Sequence, residues 1–226
     1  MTDDTPEASA SQDPQPPPEV LRRIGPVGRH VEACVRGWIS SLASPTTGAQ
    51  LAQLRAAVAR VPGSAPAVWD VTVGRLADPQ ARDDEPTAAE WAAHVALTLY
   101  AVHQQGRDRP MHVAGWGLGS SIARLADTLD RPDAVRRRFD AVATASSQAE
   151  VAHHLRGLIT QLRSEEIPLD YAMLADDLLR FHRDGDPNAV RRRWARQYYR
   201  LERRTKAQRD ASDDPTDVSE PNGASR

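Results

Sequence analysis

Apolar positions recur along this chain at the three-to-four-residue spacing of amphipathic helices. Over residues 29–43, Val31, Cys34, Val35, Trp38, Ile39 and Leu42 share one face, and over 49–61 Leu51, Leu54, Val58 and Val61 do the same. Trp91, Val95, Leu99 and Val102 form the next stripe, preceded by Thr87 and Glu90 at capping-box spacing. Leu118, Ile122, Leu125 and Leu129 predict a short helix over about 118–129. Pro132 suits the first turn of another, over about 132–145, with Val135, Phe139 and Val142 inward. Ser147 and Glu150 repeat the capping-box spacing ahead of Val151, Leu155, Leu158, Ile159 and Leu162. Asp170 is placed to cap a helix running through Phe181. Asp186 and Pro187 open a last helix carrying Val190, Trp194, Tyr198 and Leu201. Only "VWDVTVG", 68–74, resembles a strand, and its neighbours are helical. The pattern predicts an all-α protein.

The pattern fails at both ends, and composition says why. Residues 1–20 and 207–226 are rich in acids and proline or small polar residues and poor in large apolar ones. Such segments bury too little surface to offset their ordering entropy, so both are expected to be disordered acidic tails. Between them, "QQGRDRPMHVAGWG" at 104–117 reads as a link. The expected organisation is a helical bundle over 21–110, a short linker, and a second bundle over 111–206. The single cysteine, Cys34, permits no intrachain disulfide and fits a reducing compartment. No signal segment opens the chain, and no apolar run approaches the ~18–20 residues that span a bilayer. A soluble, cytoplasmic protein without membrane contact is expected.

Candidate catalytic chemistry is sparse. The seven histidines form no HExxH, and one cysteine cannot build a thiolate zinc site. "GWGLG" at 115–119 lacks the preceding strand and the spacing of a phosphate cradle, and reads as a flexible link entering a helix. Asp170, Asp176, Asp177, Asp184 and Asp186 cluster in sequence, as magnesium-binding nuclease carboxylates do. Three of them hold capping or turn positions, whereas Asp176 and Asp177 read as a solvated face or as partners of a nearby arginine. No metal, cofactor or catalytic residue is assigned, and an enzyme is not expected.

Charge changes the picture more. The net charge is only −2, yet residues 21–60 hold six arginines against one acid. Residues 183–206 hold nine basic residues against three acids. In the last helix Trp194 and Tyr198 belong to the apolar stripe. Arg191, Arg192, Arg193, Arg196 and Arg200 cover the other faces, with Arg203 and Arg204 beyond them. Arginine at this density repels itself unless an anion lies against it, and its planar fork suits phosphate oxygens. By local physics, three readings stay open: a nucleic-acid surface, a helical adaptor for acidic protein partners, and arginine kept for solubility.

The second half carries a resemblance. "GWGLGSSIARLAD", "AVRRRFDAVATASSQAEVAHHLRGLITQLRSEEIPLDYAMLADDLLRF" and "VRRRWARQYY" resemble, in order and spacing, the CasB family, the small subunit of the type I-E CRISPR surveillance complex Cascade. "AQLAQLRAAVARVPGSAPAVW" and "TAAEWAAHVALTLYAVHQQ" agree more loosely. The resemblance implies a non-catalytic, all-helical subunit that lies beside the backbone and large subunits, two copies head to tail. It implies basic faces that meet CRISPR RNA and target DNA and stabilise the R-loop in antiviral defence. Carried over by position, it implicates Arg55, Arg137, Arg138 and Arg156. Where the family often has an arginine after "LG", this chain has Ser120, and Arg124 one turn later is expected to compensate.

Overall fold

The computed structural model describes residues 22–76, 85–183 and 187–212. The tail expectations for residues 1–20 and 213–226 lie outside these, as do Asp184, Asp186 and most of the loop before Thr87. Among the described residues eight α-helices carry the fold: α1 Pro26–Ile39, α2 Pro45–Ala57, α3 Ala88–His103, α4 Leu118–Thr128, α5 Pro132–Thr144, α6 Gln148–Ser164, α7 Tyr171–Arg183 and α8 Pro187–Ser212. The strand-like run at 68–74 forms a 3₁₀ turn, Pro66–Val68, and a π-helical turn, Asp70–Gly74. Among the described residues no strand occurs, only an isolated parallel bridge between His112 and Leu169.

Local chemistry explains most of the boundaries. Thr87 accepts from the Glu90 N–H while the Glu90 carboxylate takes the Thr87 N–H at 2.8 Å, the full capping box expected of α3. At α6 only half the box forms. Ser147 accepts from the Glu150 N–H, but the Glu150 carboxylate turns to the N–H and hydroxyl of Ser146. Helix α2 stops at Ala57; Val58 still packs against the core beside buried Ala57, but Val61, beyond the helix end, is 65% exposed. Helix α8 continues six residues past 206, to Ser212, where its end meets α4 through an Arg209–Asp127 ion pair.

Helix α7 is central. It packs against α1, α3 and α8, and nearly all of residues 171–181 is buried. Tyr171 and Tyr100 meet edge to face at 5.4 Å between centroids, Tyr100 stacks on Trp38, and Phe181 stacks on Trp194. One hydrophobic cluster runs from Val27 to Tyr198 through helices on both sides of residue 110. The segment between α3 and α4 is pinned. The Gln104 side chain accepts from the Met111 N–H and donates to the carbonyls of Arg107 and Arg109, each at 2.9 Å.

"GWGLG" enters a helix as expected, with Gly117 at the N-cap of α4, but its last glycine is packed rather than a free link. Gly119 lies against the α8 backbone, and its N–H donates to Gln197 Oε1 at 3.1 Å. A side chain here would hold α4 and α8 apart, so glycine serves close approach rather than mobility.

Candidate nucleic-acid interface

The acidic cluster comes first, because the structure gives it another role. Asp176 and Asp177 are buried, not a solvated face. Asp176 accepts the N–H groups of Gly25 and Gly28, at the N-terminus of α1, which has no capping side chain or first-turn acid of its own. Its carboxylate meets both the orphan donors and the positive end of that helix. Asp177 pairs with Arg193 and accepts the Trp194 indole N–H at 2.7 Å, locking α7 to α8. Burial pushes the Asp177 carboxyl up to about 6, against the pull of Arg193 and the indole. Asp170 caps α7 as expected, accepting from Ala172 and Met173, and also holds Arg22 at 2.7 Å and the Gly115 N–H at 2.8 Å. These carboxylates are saturated by protein donors. Among the described residues no group of three or more potential ligands is placed to hold a metal ion.

The ten candidate arginines divide by partner. Four are engaged within the fold, Arg192 among them. Arg193 neutralises Asp177. Arg191 donates to the Ala143 carbonyl and to Asn188, and its guanidinium lies 5.3 Å from the Phe181 ring centroid. Arg124 is exposed but paired with Asp127 at 3.5 Å, and Asp127 also receives Arg209. Ser120, one turn before Arg124, is buried, so the two do not share an environment.

The others face outward. Arg137, Arg138, Arg156, Arg196 and Arg200 are exposed, and Arg55 is half-buried. None of these six forms an ion pair among the described residues. Arg192 is also exposed and has an interaction within the fold. Helix geometry orders those on α8. Its buried stripe is Val190, Trp194, Gln197 and Tyr198. At 100° per residue, Arg192, Arg196, Tyr199 and Arg203 recur at i, i+4, i+7 and i+11 on the opposite side. Helix α5 reaches α8 through side chains, where Phe139 packs against Trp194 and Tyr198. Arg136 of α5 bridges the seam to the Tyr199 hydroxyl and sits 5.3 Å from that ring's centroid. Its bonds to Asp140 and to Tyr199 raise its proton affinity further.

A second basic region lies elsewhere. Arg156 of α6 lines a groove of about 400 Å³ with Arg60, His153, His94 and Trp91, between the C-terminal end of α2 and the N-terminal ends of α3 and α6. Arg55 precedes this rim by one turn of α2. Arg60, Arg136 and Tyr199 carry no signal in the sequence that sets them apart. Arg60 follows Arg55 by five positions, a spacing that suggests no shared face in isolation. Tyr199 directly follows core Tyr198, and only its exposure separates the two.

The family and structural comparisons agree with one another. The family model for CRISPR-associated protein Cse2 matches residues 50–199. CasB from Thermobifida fusca is 35% identical, over 78% of this chain and 99% of its own, with a TM-score of 0.68. CasB from Thermus thermophilus is 27% identical over 78% and 99%, with a TM-score of 0.57. A chain of a CRISPR RNA-guided surveillance complex shares the fold, with a TM-score of 0.66 at 24% identity over 81% and 99%. No curated protein matches the sequence significantly.

Proposed function

The chain belongs to the CRISPR-associated Cse2 (CasB) family, and from that premise we propose that it is a non-catalytic small subunit of an RNA-guided surveillance complex. Its unpaired arginines hold the phosphates of the displaced strand and of the guide–target hybrid. The observation that carries this reading is Arg137 and Arg138 on α5 with Arg196 and Arg200 on α8, all exposed and, among the described residues, without an acid to neutralise them. R-loop formation is a nearly balanced exchange of one duplex for another, so a few phosphate contacts tip it. Guide pairing reads the sequence, and a subunit in this position needs charge and shape without base readout. The expected partners are the backbone and large subunits, CRISPR RNA and target DNA, with two copies head to tail. The fold shared with a chain of a surveillance complex is compatible with membership of such a complex. Among the described residues no helix is long and apolar enough to cross a membrane.

The test is charge reversal on the full chain. Arg196→Glu with Arg200→Glu is one pair, and Arg138→Glu with Arg156→Glu the other. Among the described residues none of the four carries an ion pair, so helical circular dichroism should stay intact. Each pair should weaken single-stranded DNA binding and lower the log–log salt slope by roughly 0.7 for each phosphate that is no longer bound. In an assembled complex, R-loops should collapse faster. Unchanged affinity and slope in both pairs would reduce these arginines to a solvated face. No cleavage of single-stranded DNA is expected with magnesium or manganese.

A further inference from the structure

We propose that Tyr199 is a base-stacking position, which makes the α8 face selective for single-stranded over double-stranded nucleic acid. The inference rests on the nucleic-acid reading above and adds the strand type that this face accepts.

Tyr199 is out of keeping with its surroundings. Among the described residues only three large apolar side chains are exposed, and it is one of them, at 40%. It stands in the outward row with Arg192, Arg196 and Arg203. A stripe kept for solubility gains nothing from an aromatic ring there, since exposing a large apolar surface costs free energy. Packing does not require it either, because Val190, Trp194 and Tyr198 already fill the inward side of α8.

The ring is also held in place. Arg136 reaches across from α5 to its hydroxyl, and the Arg136 guanidinium lies 5.3 Å from its centroid. Tyr198 meets it edge to face at 5.4 Å and 82°, and Tyr198 is itself anchored against Phe139. An exposed ring fixed this way has already lost most of its rotamer freedom, so a partner need not order it on binding. The arrangement offers a flat π-surface flanked by cations along one helix.

That combination fits one chemistry. A single strand presents phosphates to arginine and unpaired base faces to an aromatic ring. A duplex hides its base faces in the stack, leaving only phosphates and sugars for this surface. An acidic protein segment would use the arginines and leave the ring idle.

The experiment measures binding of a labelled oligothymidylate, an abasic oligomer of the same length and a duplex to the full chain. It uses the native protein, Tyr199→Phe and Tyr199→Ala. Removing one base–aromatic stack predicts about tenfold weaker oligothymidylate binding by Tyr199→Ala. The salt slope should be unchanged, because no charge is removed. Abasic and duplex ligands should bind the native and Tyr199→Ala proteins equally, and Tyr199→Phe should bind oligothymidylate nearly as the native protein does. Photo-crosslinking of the native protein to 5-iodouracil-substituted DNA should map to Tyr199, which gives a readout independent of any folding defect in the variants. Equal losses in the Phe and Ala variants would assign the effect to the Arg136–hydroxyl hydrogen bond and overturn stacking. So would a Tyr199→Ala loss of the same size on the abasic ligand, or absence of the crosslink. If Arg196→Glu/Arg200→Glu weakens binding and Tyr199→Ala does not, the stacking inference fails alone. If neither substitution has an effect, the nucleic-acid reading of this face fails with it.

Discussion

Gly119→Ala tests the close approach on which the C-terminal half is built. The added methyl would lie 2.8 Å from Gln197 Cβ and 2.9 Å from the Trp194 carbonyl carbon, and well inside van der Waals distance of the Trp194 carbonyl oxygen. Favourable carbon–carbon contacts sit at about 3.5–4.0 Å, so the overlap is roughly 0.6–1 Å against backbone as well as side chain. Neither helix can yield cheaply. Trp194 is wedged between Phe139 and Phe181 and donates its indole N–H to Asp177. Moving α4 outward would also stretch the Gly119–Gln197 hydrogen bond, stranding a buried N–H. Overpacking costs about 1–3 kcal/mol and an unsatisfied buried donor about 1–3 more. The expected loss is about 3 kcal/mol or greater, which lowers the melting temperature by roughly 6–12 °C in a chain of this size. Gly157→Ala is the matched control, because a methyl there meets nothing within 4 Å on α6. It should gain up to about 1 kcal/mol from helix propensity. Both are read from thermal and urea unfolding by circular dichroism. If Gly119→Ala melts within about 2 °C of the native protein, the tight α4–α8 approach is wrong.

Trp194→Ala removes a side chain that is 1% exposed and should cost about 3–5 kcal/mol, seen as lost cooperativity in urea unfolding. Asp176→Ala uncaps α1 and should cost about 1–3 kcal/mol, with a retained urea midpoint counting against the cap. Burial lowers the His103 imidazole to about 3, below an unfolded value near 6.5, so its stabilisation is complete above that value and lost as pH falls toward 3. The worth is up to about 4–5 kcal/mol, and His94 and His112 shift in the same direction, so His103→Gln should flatten the acid limb of stability against pH. Deleting residues 1–20 and 213–226 removes nine acids and one arginine and should tighten non-specific DNA binding at low salt; weaker binding would mean that the ends touch the ligand.

Periodicity alone determined the helices, because each depends on residues three or four positions apart. It set the inward faces of α3, α5 and α6, the capping of α3 by Thr87 and of α7 by Asp170, and the core placement of Trp194 and Tyr198. The charge pattern pointed to arginine faces for the same local reason. Tertiary structure decided what depends on residues far apart. Asp176 and Asp177 look like a polar face of α7, yet α1 and α8 cover them, one as a cap and the other as an ion pair. Glycine looks the same in sequence whether it bends or lets backbones touch, and only α8 lying across Gly119 distinguishes the two. Arginines in one run serve opposite ends: Arg191 and Arg193 hold the bundle together, while among the described residues Arg196 and Arg200 are left without an acid. A carboxylate or carbonyl within reach makes that difference, and reach is a property of the folded chain.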